Sequence, residues 1–247
     1  MISQYSQADL YSRPPWPFRG AEQISFVFDA HAEGLQALMP PGVTIDPTPE
    51  GYARCETRVC WYPWSTFGPF HETYVIVRVQ HRGDVYWMLP LIMTDSDVPL
   101  AAGREAWGYA KKLAVMDWQW NAQTAGQVLF TMERPAGHRL LTATFRPTRQ
   151  ADPSERQGHP VMSHRHLAAA GGVSSQLVAL GGTKALHKDA AGKAQLWAGE
   201  GSLDMSSVSS VDPFSLARPI RVHQAFWQCS DFALAPGRVV DDLSPTP

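Results

Sequence analysis

The residues best suited to chemistry are two adjacent lysines, Lys111 and Lys112, at the end of Gly103-Arg104-Glu105-Ala106-Trp107-Gly108-Tyr109-Ala110. An ordinary lysine amine has a pKa of ~10.4 and is almost wholly protonated at neutral pH. Withdrawal from water, or a second cation nearby, disfavours the ammonium and lowers that value. The neutral amine attacks ketones. The resulting protonated Schiff base takes up the electron pair left when a bond to the neighbouring carbon breaks. A Lys-Lys pair can also be a solvated surface turn. Here Trp107, Tyr109 and Leu113 flank the pair, and the apolar run Tyr86 to Met93 lies just upstream, which favours a shielded amine.

Adjacent side chains leave a strand on opposite faces, so both amines are not expected in one pocket, and desolvation should act on Lys111 more than repulsion from Lys112. The elements that must position them read as strands. Ile24 to Asp29, His71 to Val79, Val115 to Trp120, Gln127 to Met132, Arg139 to Phe145 and Ile220 to Phe232 alternate or are rich in β-branched residues. The runs from 115 to 145, separated by Asn121 to Gly126 and by Arg134-Pro135-Ala136-Gly137, form an antiparallel meander. Ala30 to Met39 reads as a short helix closed by Pro40-Pro41. Residues 147–160 read as a mobile loop. Gly171-Gly172 and Gly181-Gly182 read as turns, since they lack a phosphate-loop pattern. The expected fold class is mainly β (α+β), with a few short helices and one domain over residues 1–247. Residues 1–23, with Arg13-Pro14-Pro15-Trp16-Pro17, form an extended arm of the kind that packs on a neighbouring subunit.

Composition excludes several function classes. The chain is 44% hydrophobic and 18% charged with formal net charge −2, an ordinary globular balance without a basic run, so nucleic acid is not expected as a partner. No apolar run reaches the ~20 residues of a membrane span, and residues 1–23 lack a signal-peptide pattern. Cys55, Cys60 and Cys229 cannot all pair, and Cys55 and Cys60 face opposite ways at strand spacing. Free thiols in a cytoplasmic protein are expected. His164-Arg165-His166 lacks a suitably spaced third ligand, so no metal is expected.

Gly-Arg-Glu at 103–105 followed by Lys-Lys-Leu at 111–113 resembles the signature of the acetoacetate decarboxylase-like superfamily. The opening strand and helix with Leu-Met-Pro-Pro, Trp197-Ala198-Gly199 and the segment 234–243 are similar to it as well. The resemblance implies a sheet curled around a central pocket, a dimer or higher homo-oligomer such as a tetramer, and no cofactor. It makes Lys111 the Schiff-base lysine, Glu72 a pocket glutamate and Glu56 a second one. Activation of a lysine by desolvation or a cationic neighbour is established chemistry for acetoacetate decarboxylase itself. Lys112, Arg104 and Glu105 are then expected to tune or support Lys111, and Trp107, Tyr109, Phe70, Tyr74 and Arg19 to line the pocket. Decarboxylases of the family carry an arginine from the first strand, where this chain has Ala21. Arg19 lies two residues earlier, on the same face if the strand is regular.

This departure favours a Schiff-base lyase acting on a small keto acid such as pyruvate, of aldolase-dehydratase or 2-oxo-enoate hydratase type. The alternatives are a true β-keto acid decarboxylase, an inactive ligand-binding module that keeps the fold, and a carrier for lipids or aromatic compounds. Residues 150–192 resemble the family least, and their part in the pocket is open.

Overall fold

The structure is a computed structural model, and it describes residues 11–121, 126–156, 158, 160–169 and 172–244. The strands in chain order are β1 (Trp16–Ala30), β2 (Thr44–Ile45), β3 (Ala53–Tyr62), β4 (Trp64–Ser65), β5 (Phe70–His81), β6 (Asp84–Thr94), β7 (Lys111–Leu113) and β8 (Val115–Asn121). They continue as β9 (Gln127–Glu133), β10 (Arg139–Gln150), β11 (Val161–Ala169), β12 (Gly172–Ala179), β13 (Gly182–Leu186), β14 (Leu196–Asp204), β15 (Arg221–Leu234) and β16 (Arg238–Asp242). Two α-helices interrupt them, α1 (Ala32–Gln36) and α2 (Asp97–Trp107). All the strands belong to one sheet, whose main path runs β16-β12-β11-β6-β5-β3-β1-β15-β14-β10-β9-β8. The mainly β class is as expected. The sheet is mixed, because β6 pairs in parallel with both β7 and β11.

The central strands are buried on both faces. Ile24, Phe26 and Phe28 of β1, with Cys55 and Val59 of β3 and Val75, Val77 and Val79 of β5, pack into the larger core. On the opposite face Trp16, Phe18 and Ala21, with Cys60 and Tyr62, Phe70 and Ile76, build a second, aromatic cluster. Cys55 and Cys60 thus do point to opposite faces, and all three cysteines are free and buried. The meander is present as β8, β9 and β10. No helix among the described residues is long and apolar enough to cross a membrane.

Two expectations need correction. The segment read as an extended arm up to residue 23 joins the sheet at Trp16, where β1 starts and pairs with β15 from Trp16↔Leu234 onward. Trp16, fully buried among Phe67 and Trp107, gains more by joining the sheet than the flanking prolines cost. Residues 1–10, most of the Asn121 to Gly126 turn, parts of the 147–160 loop and Gly171 lie outside the described residues. The 181–182 glycines are also more than a turn. A Cβ on Gly182 would lie 2.2 Å from the Ala233 carbonyl oxygen, so glycine is what lets β13 close on β15.

Candidate active site

The Gly-Arg-Glu segment lies in the second half of α2, and Gly103 and the capping Gly108 are steric requirements. A Cβ on Gly103 would sit 2.9 Å from Lys111 Cε and 3.0 Å from Tyr109 Cδ2, so the missing side chain leaves the channel through which the lysine stem passes. Gly108 ends the helix at φ 74°, with its N–H donating to Arg104 O at 3.0 Å and the Tyr109 N–H donating to Gly103 O at 3.1 Å. A Cβ there would lie 2.0 Å from Arg165 Cα, so β11 sets the same requirement from outside. Released from the helix, the chain enters β7 beside β6, with Lys111 opposite Ile92.

Strand alternation then separates the two lysines. Lys111 turns inward and is 6% exposed, with Nζ 2.5 Å from Glu72 Oε2 and 5.5–5.7 Å from the ring centres of Tyr109 and Phe70. Lys112 turns the other way. Its amine donates to the Val211 carbonyl and, at 2.7 Å, to Asp212 Oδ1, a buried carboxylate that Arg134 also reaches at 3.2 Å. Lys112 therefore anchors the 206–213 connection and is not a cation beside Lys111. Arg104 and Glu105 are structural too. Arg104 Nη1 donates to the Lys111 carbonyl at 3.3 Å, while Glu105 accepts from the Tyr11 hydroxyl and its carbonyl takes Arg165 Nε at 2.8 Å.

Lys111 and Glu72 face a cavity of about 240 Å³. Its walls are mostly apolar: Trp16, Phe18, Phe67, Phe70, Trp107, Tyr109 and Phe232, with Leu89, Ile92, Val161, Leu180 and Leu234. Polar groups are few, namely Gln23, Arg58, Tyr62, Tyr74, Thr183 and Lys184 beside the Lys111–Glu72 pair. Tyr62 OH lies 3.5 Å from Glu72 Oε1. Burial pushes the phenols of Tyr62, Tyr74 and Tyr109 up, so they remain protonated donors. Burial and the nearby Glu72 charge likewise push the Cys60 thiol up to about 12, which keeps it from acting as a thiolate.

Two expected cavity residues lie elsewhere. Arg19 is turned outward, with its side chain 61% exposed and paired to Asp231 at 3.1 Å. The inference from spacing assumed a regular strand. A bulge between Phe18 and Ala21, with Gly20 at φ 60°, inserts residues there and shifts the alternation, so Phe18 and Ala21 face inward and Arg19 does not. Glu56 is buried but is not part of the cavity wall. It accepts from Arg58 Nε at 2.6 Å and Arg156 Nη2 at 2.8 Å. Burial alone would raise its pKa, but the two guanidiniums outweigh this and hold it at about 2.

Sequence reading missed Arg58 and Lys184. Arg58 follows Glu56 by two residues and so shares its face of β3, a signal that was available. Lys184 belongs to β13, and only the pairing of β13 with β15 brings it to the cavity. Desolvation, followed by the Arg58 and Arg156 charges, pulls its amine down to about 7, while the residue's remaining exposure lets water temper that shift. His164 and His166 both bond to Ser175 Oγ, at 2.8 and 3.3 Å.

Chemically, the site is a buried amine in contact with a carboxylate in an apolar chamber. Glu72 can take the ammonium proton and return it to a leaving oxygen, which is what imine formation requires.

Comparison with known proteins bears on the family and the fold. The curated acetoacetate decarboxylase 3 of Mesorhizobium japonicum is 34% identical over 106 residues, which cover 42% of this chain and 40% of that protein. The match therefore spans well under half of the relative's length. The crystal structure of acetoacetate decarboxylase from Legionella pneumophila superposes with a TM-score of 0.81 at 22% identity, covering 98% of this chain and 93% of that one. The enduracididine biosynthesis enzyme MppR, complexed with the condensation product of pyruvate and imidazole 4-carboxaldehyde, does so with a TM-score of 0.76 at 17% identity, covering 96% and 94%. These two likenesses establish the fold. The family model for acetoacetate decarboxylase (ADC) matches residues 2–243, and the chain belongs to that family.

Proposed function

We propose that the protein is a Schiff-base lyase acting on small 2-oxo acids, of aldolase-dehydratase or hydratase type. The observation that carries this reading is the Lys111 amine, 6% exposed and 2.5 Å from the Glu72 carboxylate, inside an apolar cavity. Glu72 takes a proton from Lys111, the freed lone pair attacks the keto carbon, and the carbinolamine oxygen leaves as water with a proton returned by Glu72. Glu72, again a carboxylate, takes a proton from the adjacent carbon to give an enamine, whose carbon attacks an aldehyde as the new alkoxide takes that proton back. When the iminium is conjugated, water adds at its far carbon instead. The iminium is itself the electron sink, so neither route calls for a cofactor.

Two observations bear on the choice of reaction. The arginine of the cavity comes from β3, as Arg58, while the β1 bulge turns Arg19 outward. MppR, with the same fold, is known in complex with pyruvate and with a pyruvate-derived condensation product. The curated relatives favour the second reading, a β-keto acid decarboxylase. Borohydride treatment with pyruvate should add one reduced adduct on Lys111, and Lys111→Ala should carry none. An unmodified wild-type protein would leave a ligand-binding module with an inert pocket. Lysine-dependent release of carbon dioxide from acetoacetate, faster than any condensation of pyruvate with an aldehyde, would establish the decarboxylase reading instead.

A further inference from the structure

The end of the cavity away from Lys111 has the makings of a second recognition site. Register places Ser25, Arg58, Tyr74, Ile92 and Lys111 in one row across β1, β3, β5, β6 and β7. The two cationic side chains of that row converge on β5 from opposite sides. Lys111 Nζ meets Glu72 at 2.5 Å, and Arg58 Nη1 meets the Tyr74 hydroxyl at 3.4 Å. Glu72 and Tyr74 are two residues apart on one face of a strand, so their backbones lie about 7 Å apart. The amine and the guanidinium thus address successive same-face positions of β5, and both residues line the cavity.

Lys184 reaches the Arg58 end from β13, and Arg156 stands behind it on Glu56. Arg58 and Arg156 share the carboxylate Glu56, and an arriving anion favours the ammonium form of Lys184, so among the described residues that end carries excess positive charge beside a mostly apolar wall, which suits an anion. Between the two ends the wall is aromatic. Phe18 stacks on Phe232 at 4.3 Å between ring centres, and Trp16 meets Phe67 edge-on at 4.7 Å. The cavity's 240 Å³, walled mainly by aromatic and aliphatic side chains, is larger than a three-carbon keto acid fills.

We infer that Arg58 and Lys184 form the carboxylate subsite of this cavity, and that the substrate is a keto acid bearing an aryl or similarly large apolar substituent seated against Phe18, Phe67 and Phe232. This rests on Schiff-base chemistry at Lys111 only for the keto group. The anion and apolar subsites act without it.

The test therefore has two arms. In the first, calorimetry measures binding of 3-phenylpropanoate, which has no keto group, against acetate. Wild-type protein should bind the aryl acid at least 10-fold more tightly than acetate. Lys184→Met should weaken aryl-acid binding 3- to 10-fold and Arg58→Gln at least 10-fold. Because Arg58 also holds Glu56, the exposed Lys184 supplies the variant expected to keep the fold intact. Equal binding of the two acids, or aryl-acid binding unchanged in Lys184→Met and in folded Arg58→Gln, overturns the inference.

In the second arm, the concentration giving half-maximal borohydride trapping is compared for phenylpyruvate, pyruvate and the uncharged ketone phenylacetone. Phenylpyruvate should be trapped at a concentration at least 10-fold below pyruvate. Lys184→Met should raise that concentration for phenylpyruvate and leave phenylacetone within 2-fold. A variant that affects acid and ketone equally overturns the subsite. If no ketone is trapped while the aryl acid binds in an Arg58- and Lys184-dependent way, the Schiff-base reading falls and the subsite stands.

Discussion

Glu72 and Glu56 are both buried carboxylates on the cavity face of neighbouring strands, and they do different work. Glu72 meets a lysine amine in an apolar chamber, with the Tyr62 hydroxyl also at 3.5 Å. Glu56 accepts from two guanidiniums and lies outside the cavity wall. An amine exchanges its proton with a carboxylate readily, whereas an arginine stays charged. Under the proposed chemistry, a buried acid is useful here only where its partner can give up a proton. The same residue type facing arginines is a structural pivot, which holds Arg58 at the edge of the cavity.

Four substitutions would sharpen or break this contrast. Glu72→Gln should lower turnover of the keto acid by ~10²-fold or more, the usual worth of a positioned acid-base group, while adduct on Lys111 stays measurable by mass spectrometry. An unchanged rate would remove Glu72 from the chemistry. Glu56→Gln should mainly cost stability, up to about 3–5 kcal/mol in denaturant unfolding, because it leaves two partly buried guanidiniums without their carboxylate. The pH dependence follows. Glu56 is held at about 2 in the fold against an ordinary 4.5, so its contribution is complete above pH 4.5 and fades as the pH falls toward 2. Wild-type protein should therefore lose more stability between pH 5 and about 3 than Glu56→Gln does.

Gly103→Ala tests the channel for the lysine stem. Alanine is the better helix former by about 1 kcal/mol, but crowding at this buried position costs about 1–3 kcal/mol, so the melting temperature should hold or fall slightly. Its methyl group would displace Lys111 Cε from 2.9 Å, and turnover should drop by ~10-fold, because small misplacements of reacting groups are costly. Lys112→Met should have the smallest effect, within about 1 kcal/mol of stability for a partly exposed pair and with trapping retained, since Arg134 still holds Asp212.

Much of the site was legible because it is local. The glycines at 103 and 108, the aromatic flank and the opposed lysines all lie within a dozen residues, and their geometry follows from one helix end and one short strand. Arg19 was misassigned for the opposite reason. Its direction depends on a bulge, and a single irregularity reverses the facing of every residue beyond it. Glu56 was assigned to the right face but not to its partner, because Arg156 comes from a loop 100 residues away.

By itself, the sequence determined a mainly β chain with an amine set at the end of an apolar, glycine-cleared segment, since strand alternation and helix termination act over a few residues. Only the tertiary structure decided which carboxylate that amine meets and which cations share its cavity. Those partners lie on β5, β3 and β13, which long-range register and one bulge bring together, and neither can be read from the spacing of residues along the chain.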